Sequence, residues 1–379
     1  MKKICLFFIL LIMPLTVYGE ELNLAENAKS AIMIESTTGE ILYSKNPHEK
    51  LAPASMTKMM SLILIMENIE NGRLNWNDTI VVSKNAASMG GSQIFLEENE
   101  LMSVQDLIKG ICIASGNDAT VALAEKIAGT ESAFVSLMNQ KATSLGLKET
   151  HFVNSTGLDA ENHYSSAYDM SIIAKELVKH EKILEYSSIY EDYLRNNSFW
   201  LVNTNKLVKF YSYIDGLKTG YTSDAGYCLT ATGKKKGMRL ITVVMGEEST
   251  DKRTKDTISM MEYGFNMYNL NTIIKKDEEI GTINIKFGTK KEVQIISSRS
   301  ITLLNNANSK EKKLTYDIIK KDIAAPIEKG INVGNINVYI NGIYQYSVDL
   351  LANESVKKAG IISIFIKNIQ DIISLNINN

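Results

Sequence analysis

Ser55 and Lys58 stand three residues apart in Pro-Ala-Ser-Met-Thr-Lys, residues 53–58, where a long apolar segment begins. On a helix, positions i and i+3 share a face, so this hydroxyl and this amine can meet. A lysine beside a serine is one way of activating that serine as a nucleophile. Ser-x-x-Lys also arises by chance in chains rich in both residues, so alone it says little. Two further clusters carry suitable groups. Ser115-Gly-Asn117 offers a hydroxyl and an amide, and Lys218-Thr-Gly220 offers a second cation beside a hydroxyl. Taken singly, Ser-Gly-Asn reads as a helix-capping turn, since Ser and Asn favour such positions. Lys-Thr-Gly reads as the end of a strand. A helix start, an inter-helix loop and a strand, in that order, are hard to attribute to accident.

The surrounding segments say what could position them. Residues 59–66 are apolar nearly all round, which in a helix means full burial, and the helix is expected from Ser55 to about Asn68. Its N-terminal end would favour negative charge developing near Ser55. Residues 30–35 and 40–44 read as strands joined by a Thr37-Thr38-Gly39 turn, and residues 78–83 as another strand. Residues 103–147 read as helical, with Gly110, Gly129 and Gly146 as stops, and residues 165–180 as an amphipathic helix. Residues 214–222, 226–232 and 238–246 read as three antiparallel strands with a turn at 233–237, followed by a helix over 250–268. Strands at both ends and helices between predict an α+β fold: one antiparallel sheet flanked by helices, with a helical lobe inserted.

Past residue 271 short alternating runs recur, and Asn341-Gly342 is a strong hairpin signal. This predicts a separate small all-β domain over 271–352. The tail, 353–379, is helical in period from Val356. Ile362, Phe365, Ile366, Ile369, Ile372 and Ile373 fall on one face, and Ser363, Lys367, Gln370 and Ser374 on the other. Periodicity leaves two readings, a helix packed on protein or an in-plane membrane anchor.

The chain has 379 residues and a formal net charge of -2, so no global basic field recruits nucleic acid. Met-Lys-Lys, an apolar run over 4–17 and Tyr-Gly-Glu read as a secretory signal cleaved after Gly19. The run is short for a membrane span, which needs about 20 residues. Cys112 and Cys228 then remain. Two cysteines are no disulfide framework; they read as small buried hydrophobes, with a bridge left open. The histidines are scattered and no cysteines cluster, so no metal site is expected.

With these motifs in hand, the chain resembles the low-molecular-mass penicillin-binding proteins that are D-alanyl-D-alanine carboxypeptidases, with a β-lactamase/transpeptidase-like fold. The resemblance rests on Pro53-Ala-Ser-Met-Thr-Lys-Met59, Ala114-Ser-Gly-Asn-Asp-Ala119, Asn203-Thr-Asn205, Asp215-Gly-Leu-Lys-Thr-Gly-Tyr-Thr222 and Ala225-Gly-Tyr227, and covers about residues 28–268. Ala325-Pro-Ile-Glu-Lys-Gly330 and Val338-Tyr-Ile-Asn-Gly342 extend it into the β domain. It implies a catalytic domain over 20–270 in which Ser55 attacks the carbonyl between two D-alanines of a peptidoglycan stem peptide. Lys58 would take the serine proton, its pKa lowered by neighbouring cations and burial. Ser115 would relay a proton to the leaving amine, and Asn117 would orient Lys58 or the substrate amide. Lys218, Thr219, Gly220 and Tyr221 would bind substrate, with the Ser55 and Tyr221 N–H groups as the oxyanion hole. Thr204 stands where relatives carry an arginine, which passes the terminal carboxylate to Arg253. Tyr221 stands where relatives often carry histidine.

The resemblance further implies acylation by β-lactam antibiotics, no cofactor, export to the outer face of the cytoplasmic membrane, and anchoring through the tail helix. Three other readings use the same serine. One is a D,D-endopeptidase cutting crosslinks. Another is a β-lactamase, disfavoured by Ser-Gly-Asn and by the added β domain. The third is a penicillin sensor without turnover, disfavoured by three intact motifs.

Overall fold

The structure is a computed structural model that describes residues 22–310 and 312–360. Strands β1 (Ser30–Glu35) and β2 (Ile41–Lys45) form the expected hairpin. The buried Glu35 carboxylate closes its turn by accepting the N–H groups of Thr37 and Thr38 at 3.0 and 2.7 Å. A 3-10 turn, Ala54–Thr57, runs into α1 (Lys58–Glu70), which is buried from Lys58 to Met66. The inserted lobe then holds β3 (Thr79–Val81), α2 (Lys84–Ala87), β4 (Leu101–Ser103), α3 (Val104–Ala114), α4 (Asn117–Ala128), α5 (Glu131–Ser144), α6 (Ala167–Leu177) and α7 (Glu181–Ser187). A hairpin of β5 (Glu191–Leu194) and β6 (Phe199–Val202) and the short α8 (Leu207–Phe210) lead back to the sheet.

Three antiparallel strands follow: β7 (Ile214–Thr222), β8 (Gly226–Lys235) and β9 (Met238–Glu247). Helix α9 (Thr250–Met267) closes this unit. The five-stranded sheet has the order β2-β1-β9-β8-β7, so both ends of the unit meet in it, as the element order predicts. One apolar cluster packs α1, α3, α4 and α6 against one face of the sheet. A second joins the other face to α9 through Met260 and Met261.

Two local expectations are corrected. Gly110 does not end a helix; it lies inside α3, where a Cβ would come within 2.9 Å of Ile94. Its role is close packing, and α3 runs on to Ala114. The β8–β9 turn is tighter than 233–237. Pairing continues to Lys235 opposite Met238, leaving Lys236 and Gly237 with φ of 50° and 82° as a two-residue hairpin loop.

The C-terminal unit begins with β10 (Tyr268–Ile274), which spans two cores. Leu270 packs on the sheet-and-α9 cluster, and Ile274 belongs to the β core. Then come β11 (Glu279–Lys286), β12 (Glu292–Ser297), β13 (Ile301–Asn306), β14 (Leu314–Lys320), β15 (Ile323–Ala324), β16 (Asn332–Ile340) and β17 (Ile343–Ala352). β13 pairs with β10, and the others form a six-stranded sheet in the order β14-β16-β17-β12-β11-β15. Alternation buries Ile283, Ile285, Val293, Ile295, Ile336, Val338, Val348 and Leu350 in a separate core.

The tail helix does not begin at Val356. Val356 is buried in the β core and bridges Ile327, and Lys358 bridges Gly288. An apolar residue at this point satisfies a strand neighbour as well as it satisfies a helical period. The residues of the expected helix face, Ile362 to Ser374, and the expected signal at 1–19 lie outside the described residues. Among the described residues no helix is long and apolar enough to cross a membrane. Cys112 and Cys228 are both buried and free, so the bridge left open by the sequence is not formed.

Candidate active site

The nucleophile turn is built by backbone conformation. Ala54 adopts a left-handed φ of 47°, uncommon for a residue with a side chain, immediately before Ser55. Gly220 of β7 lies against this turn; a Cβ there would stand 2.8 Å from the Pro53 carbonyl oxygen and 3.3 Å from the Ser55 nitrogen. The glycine of Lys-Thr-Gly is therefore required by the approach of strand to turn. One helical turn on from the serine, Lys58 is fully buried. Its Nζ lies 2.8 Å from Ser55 Oγ and donates to the Thr156 carbonyl at 2.8 Å. A neutral amine reverses the first bond and accepts from the hydroxyl. Burial, and then the charge of Lys218, holds the Lys58 pKa well below the ordinary lysine value, while Asp118 opposes the shift.

Lys218 is buried beneath the same wall, and its Nζ donates to the Thr219 carbonyl at 3.0 Å. Burial brings its pKa to about 7, with Arg253 pushing the same way. Ser115 caps α3 with a left-handed φ of 64°, which turns its hydroxyl into a cleft of about 400 Å³. Among the described residues that hydroxyl has no hydrogen-bond partner, and neither does the Asn117 Oδ1. Asn117 does not reach Lys58: its Nδ2 donates to the Gly90 carbonyl at 2.7 Å. Of the two roles the resemblance implies for Asn117, orientation of Lys58 is not formed here.

Across the cleft, Thr219 Oγ1 donates to Thr204 Oγ1 at 2.7 Å. The asparagines flanking Thr204 anchor it. Asn203 donates to the Ser187 and Ile189 carbonyls, and Asn205 to the Gly216 carbonyl. Arg253 lines the cleft from the first turn of α9, largely buried, with its Nε unpaired among the described residues. Tyr221 is 56% exposed and its ring lies tilted against Tyr227, centroids 4.4 Å apart, forming a rim rather than a floor. The cleft thus brings Ser55, Ser115, Thr219, Gly220, Tyr221 and Arg253 together, with Lys58 and Lys218 behind its wall.

Sequence reasoning missed the loop that completes this wall. Thr156 gives Lys58 its second hydrogen bond. Gly157, at φ +86°, lets the loop touch the nucleophile turn. His163 locks the far end: its Nδ1 accepts from Val153 N–H at 3.1 Å, so Nε2 carries the proton and donates to Thr57 Oγ1 at 2.9 Å. Burial drives its pKa down to about 4, so it stays neutral. Asp118 was also missed; it accepts the N–H groups of Ile94 and Leu96 and fixes the strand-like segment along the cleft.

The sequence profile of the D-alanyl-D-alanine carboxypeptidase family matches residues 19–249, and that of the penicillin-binding protein 5 C-terminal domain matches 268–358. The D-alanyl-D-alanine carboxypeptidase DacF of Bacillus subtilis is 47% identical over 353 residues, covering 92% of this chain and 91% of that protein. DacC of Escherichia coli is 34% identical, covering 88% and 85%. Among solved structures, penicillin-binding protein 5 from Haemophilus influenzae superposes with a TM-score of 0.70 at 31% identity, covering 88% of this chain and 98% of that one. The ampicillin-bound penicillin-binding protein D2 of Listeria monocytogenes gives a TM-score of 0.58 at 30% identity, covering 63% and 98%. Likeness that runs through both sheets, at identities this high, settles lineage: the chain belongs to the D-alanyl-D-alanine carboxypeptidase family of low-molecular-mass penicillin-binding proteins.

Proposed function

We propose that this protein is a serine D-alanyl-D-alanine carboxypeptidase that removes the terminal D-alanine from peptidoglycan stem pentapeptides through an acyl-enzyme on Ser55. One observation carries the assignment: the fully buried Lys58 amine lies 2.8 Å from Ser55 Oγ and is held below its ordinary pKa. A neutral amine at that distance is a general base for the serine proton.

The terminal carboxylate of the peptide sits against Thr219, Thr204 and Arg253. Lys58 takes the Ser55 proton as Oγ bonds to the penultimate D-alanine carbonyl carbon. The Ser55 and Tyr221 N–H groups hold the oxyanion, where losing one donor costs on the order of 10²-fold or more in rate. The C–N bond then breaks, and Ser115 relays the proton from Lys58 to the departing amine of D-alanine. Water next attacks the ester and gives up a proton to Lys58. The ester C–O bond breaks and Ser55 regains its hydrogen. Asn117 Oδ1 is left free to accept from a substrate amide. A β-lactam follows the first half of this course. The Listeria relative, solved with ampicillin and with cefotaxime, supports that extension.

The reading carries a location. Residues 1–19 direct export; the catalytic unit runs to Met267 and the β domain from Tyr268 past Val356, a little wider than the expected 271–352. Residues 361–379 lie on the outer face of the cytoplasmic membrane as an amphipathic anchor, supported by their apolar periodicity.

Ser55→Ala should abolish both labelling by fluorescent penicillin and D-alanine release from a pentapeptide. Release persisting in that variant would overturn the nucleophile assignment. Offering a crosslinked dimer beside the pentapeptide separates carboxypeptidase from endopeptidase; preferential cleavage of the dimer would replace the substrate proposed here.

A further inference from the structure

A second concavity, of about 460 Å³, opens at the seam between the catalytic unit and the β domain. Lys175, Lys179, Lys234, Arg239 and Arg299 line it, and among the described residues no carboxylate does. The chain as a whole has 41 basic and 43 acidic side chains, so this is a local concentration and not the background of a basic protein. The cations arrive from separate places. Lys175 comes from the last turn of α6 and Lys179 from the turn after it, Lys234 and Arg239 from the β8–β9 hairpin, and Arg299 from the β12–β13 turn of the C-terminal domain. Ser36 and Thr37 of the β1–β2 turn add hydroxyls.

Two of the five cations are already matched. Arg239 grips Asp215 with a fork at 2.8 and 2.7 Å, and Lys179 pairs with Glu176 at 2.5 Å. Lys175 sits near the C-terminal end of α6, where the helix dipole favours a cation without any ligand. That does not explain why Lys234 and Arg299 converge on it from other elements. Lys175 and Lys234 have no carboxylate within ion-pair distance among the described residues. Among the described residues Arg299 donates to the Ser347 carbonyl, stacks on Tyr346 and meets no carboxylate within ion-pair distance. Glu35, whose charge Lys175 also feels, is already engaged by the Thr37 and Thr38 N–H groups. The fold makes room for the central ammonium: a Cβ at Gly39 would lie 2.6 Å from Lys175 Nζ. Burial lowers the Lys175 pKa, Glu35 opposes, and Lys179 and Arg299 add to the lowering. An anion seated here would relieve that repulsion.

We propose that this seam binds a phosphate-bearing anion, with the phosphate between Lys175, Lys234 and Arg299. A tetrahedral oxyanion accepts from several sides at once, which suits two ammonium groups and one guanidinium fork converging from three elements. A planar carboxylate would leave part of that arrangement unused. Arg299 belongs to one domain and the lysines to the other, so the bound anion ties the two together and stabilises the folded chain by linkage. The site shares no residue with the acyl-transfer cleft, so it stands or falls independently of the carboxypeptidase reading.

The test is thermal unfolding of the full chain, titrated with inorganic phosphate and with soluble polyphosphate against chloride at equal ionic strength. A saturable rise in midpoint specific to phosphate is expected. Lys175→Gln/Lys234→Gln should weaken apparent affinity by about tenfold or more, as loss of two charge-assisted contacts demands. Lys286→Gln/Lys290→Gln removes the same charge from surface pairs with Asp322 and Glu354, and should respond like the parent. Arg299→Gln attacks the site from the other domain and should reproduce the loss, which keeps the test decisive if the double variant folds poorly. Phosphatidylglycerol vesicles distinguish the source. A drop in vesicle binding in Arg299→Gln identifies a lipid headgroup, and an unchanged value identifies a soluble phosphate polymer. No phosphate-specific rise, or an equal rise in the seam and control variants, would overturn the proposal.

Discussion

Replacing Gly157 by alanine tests whether the Thr156 carbonyl is part of the base's machinery. A Cβ at 157 would lie 1.8 Å from the Ala54 carbonyl oxygen and 2.3 Å from its carbon. Both neighbours are backbone, so no rotamer relieves the contact. Restoring ordinary separation needs a shift of about 1.5 Å or more between the loop and the nucleophile turn. The Lys58–Thr156 bond, now 2.8 Å, spans those two segments and would be lost. Strain at φ +86° adds roughly 1–2 kcal/mol, and overpacking roughly 1–3 kcal/mol. At roughly 2–4 °C per kcal/mol for a unit of this size, the midpoint should fall by roughly 4–20 °C. A displacement of this size beside the reacting atoms should slow acylation by about 10²-fold. Gly72→Ala is the matched control, since φ is +71° there and nothing lies within 4 Å of the new Cβ. It should lose about 1 kcal/mol and acylate normally. The assays are a melting curve and the rate of labelling by fluorescent penicillin. If Gly157→Ala acylates as fast as Gly72→Ala, the loop has no part in placing Lys58.

Arg253→Ala should reduce kcat/KM for pentapeptide by about 10–100-fold, as expected for one charge-assisted contact, and slow penicillin acylation less. Equal loss on both substrates would argue against a carboxylate contact made only by peptide. Glu247, at the end of β9, gives a pH signature in stability. Burial, then the neighbouring Asp256, pushes its pKa from 4.5 to about 8. The folded chain therefore holds this proton where the unfolded chain has released it. The contribution is complete below pH 4.5 and is lost as pH rises through 8. Each pH unit in that window removes about 1.4 kcal/mol. Glu247→Gln should flatten this decline, read as urea midpoints between pH 6 and 9; an unchanged slope would show that Glu247 is already ionised.

What was legible from the chain were the places where residue type and local structure demand the same thing. Ser55 and Lys58 share a helical face, and the helix after them is apolar on every side, so position and burial followed from one pattern. Strands β7 to β9 were readable because three short β-prone runs, buried almost continuously, are separated by glycine-bearing turns. The 154–163 loop has no such period. It acts through a carbonyl, through the missing Cβ of Gly157, and through a histidine tautomer, none of which leaves a residue pattern. Gly110 misled for a related reason, since a glycine that admits Ile94 and one that ends a helix look the same in a string of letters. Val356 fits both the helical period of the tail and a bridge to Ile327, and only the neighbouring strand decides between them.

The order of causes at Lys58 changes how the two lysines are understood. The resemblance implied neighbouring cations and burial together as what lowers the Lys58 pKa; burial is the larger influence and the Lys218 charge the second. Both amines lie behind the cleft wall, and burial is the leading cause for each. Lys218 is the second influence on Lys58, so a charge on Lys218 favours the neutral form of the base. With Lys218 brought to about 7 and Lys58 held well below its ordinary value, both amines are shifted toward the neutral form. The cleft must then keep a cation for the carboxylate that does not titrate. Arg253 fills that place: even with burial lowering its pKa, a guanidinium stays charged where an ammonium would not. The division of labour follows from chemistry. Lysines serve where a proton must move, and the arginine serves where a charge must stay.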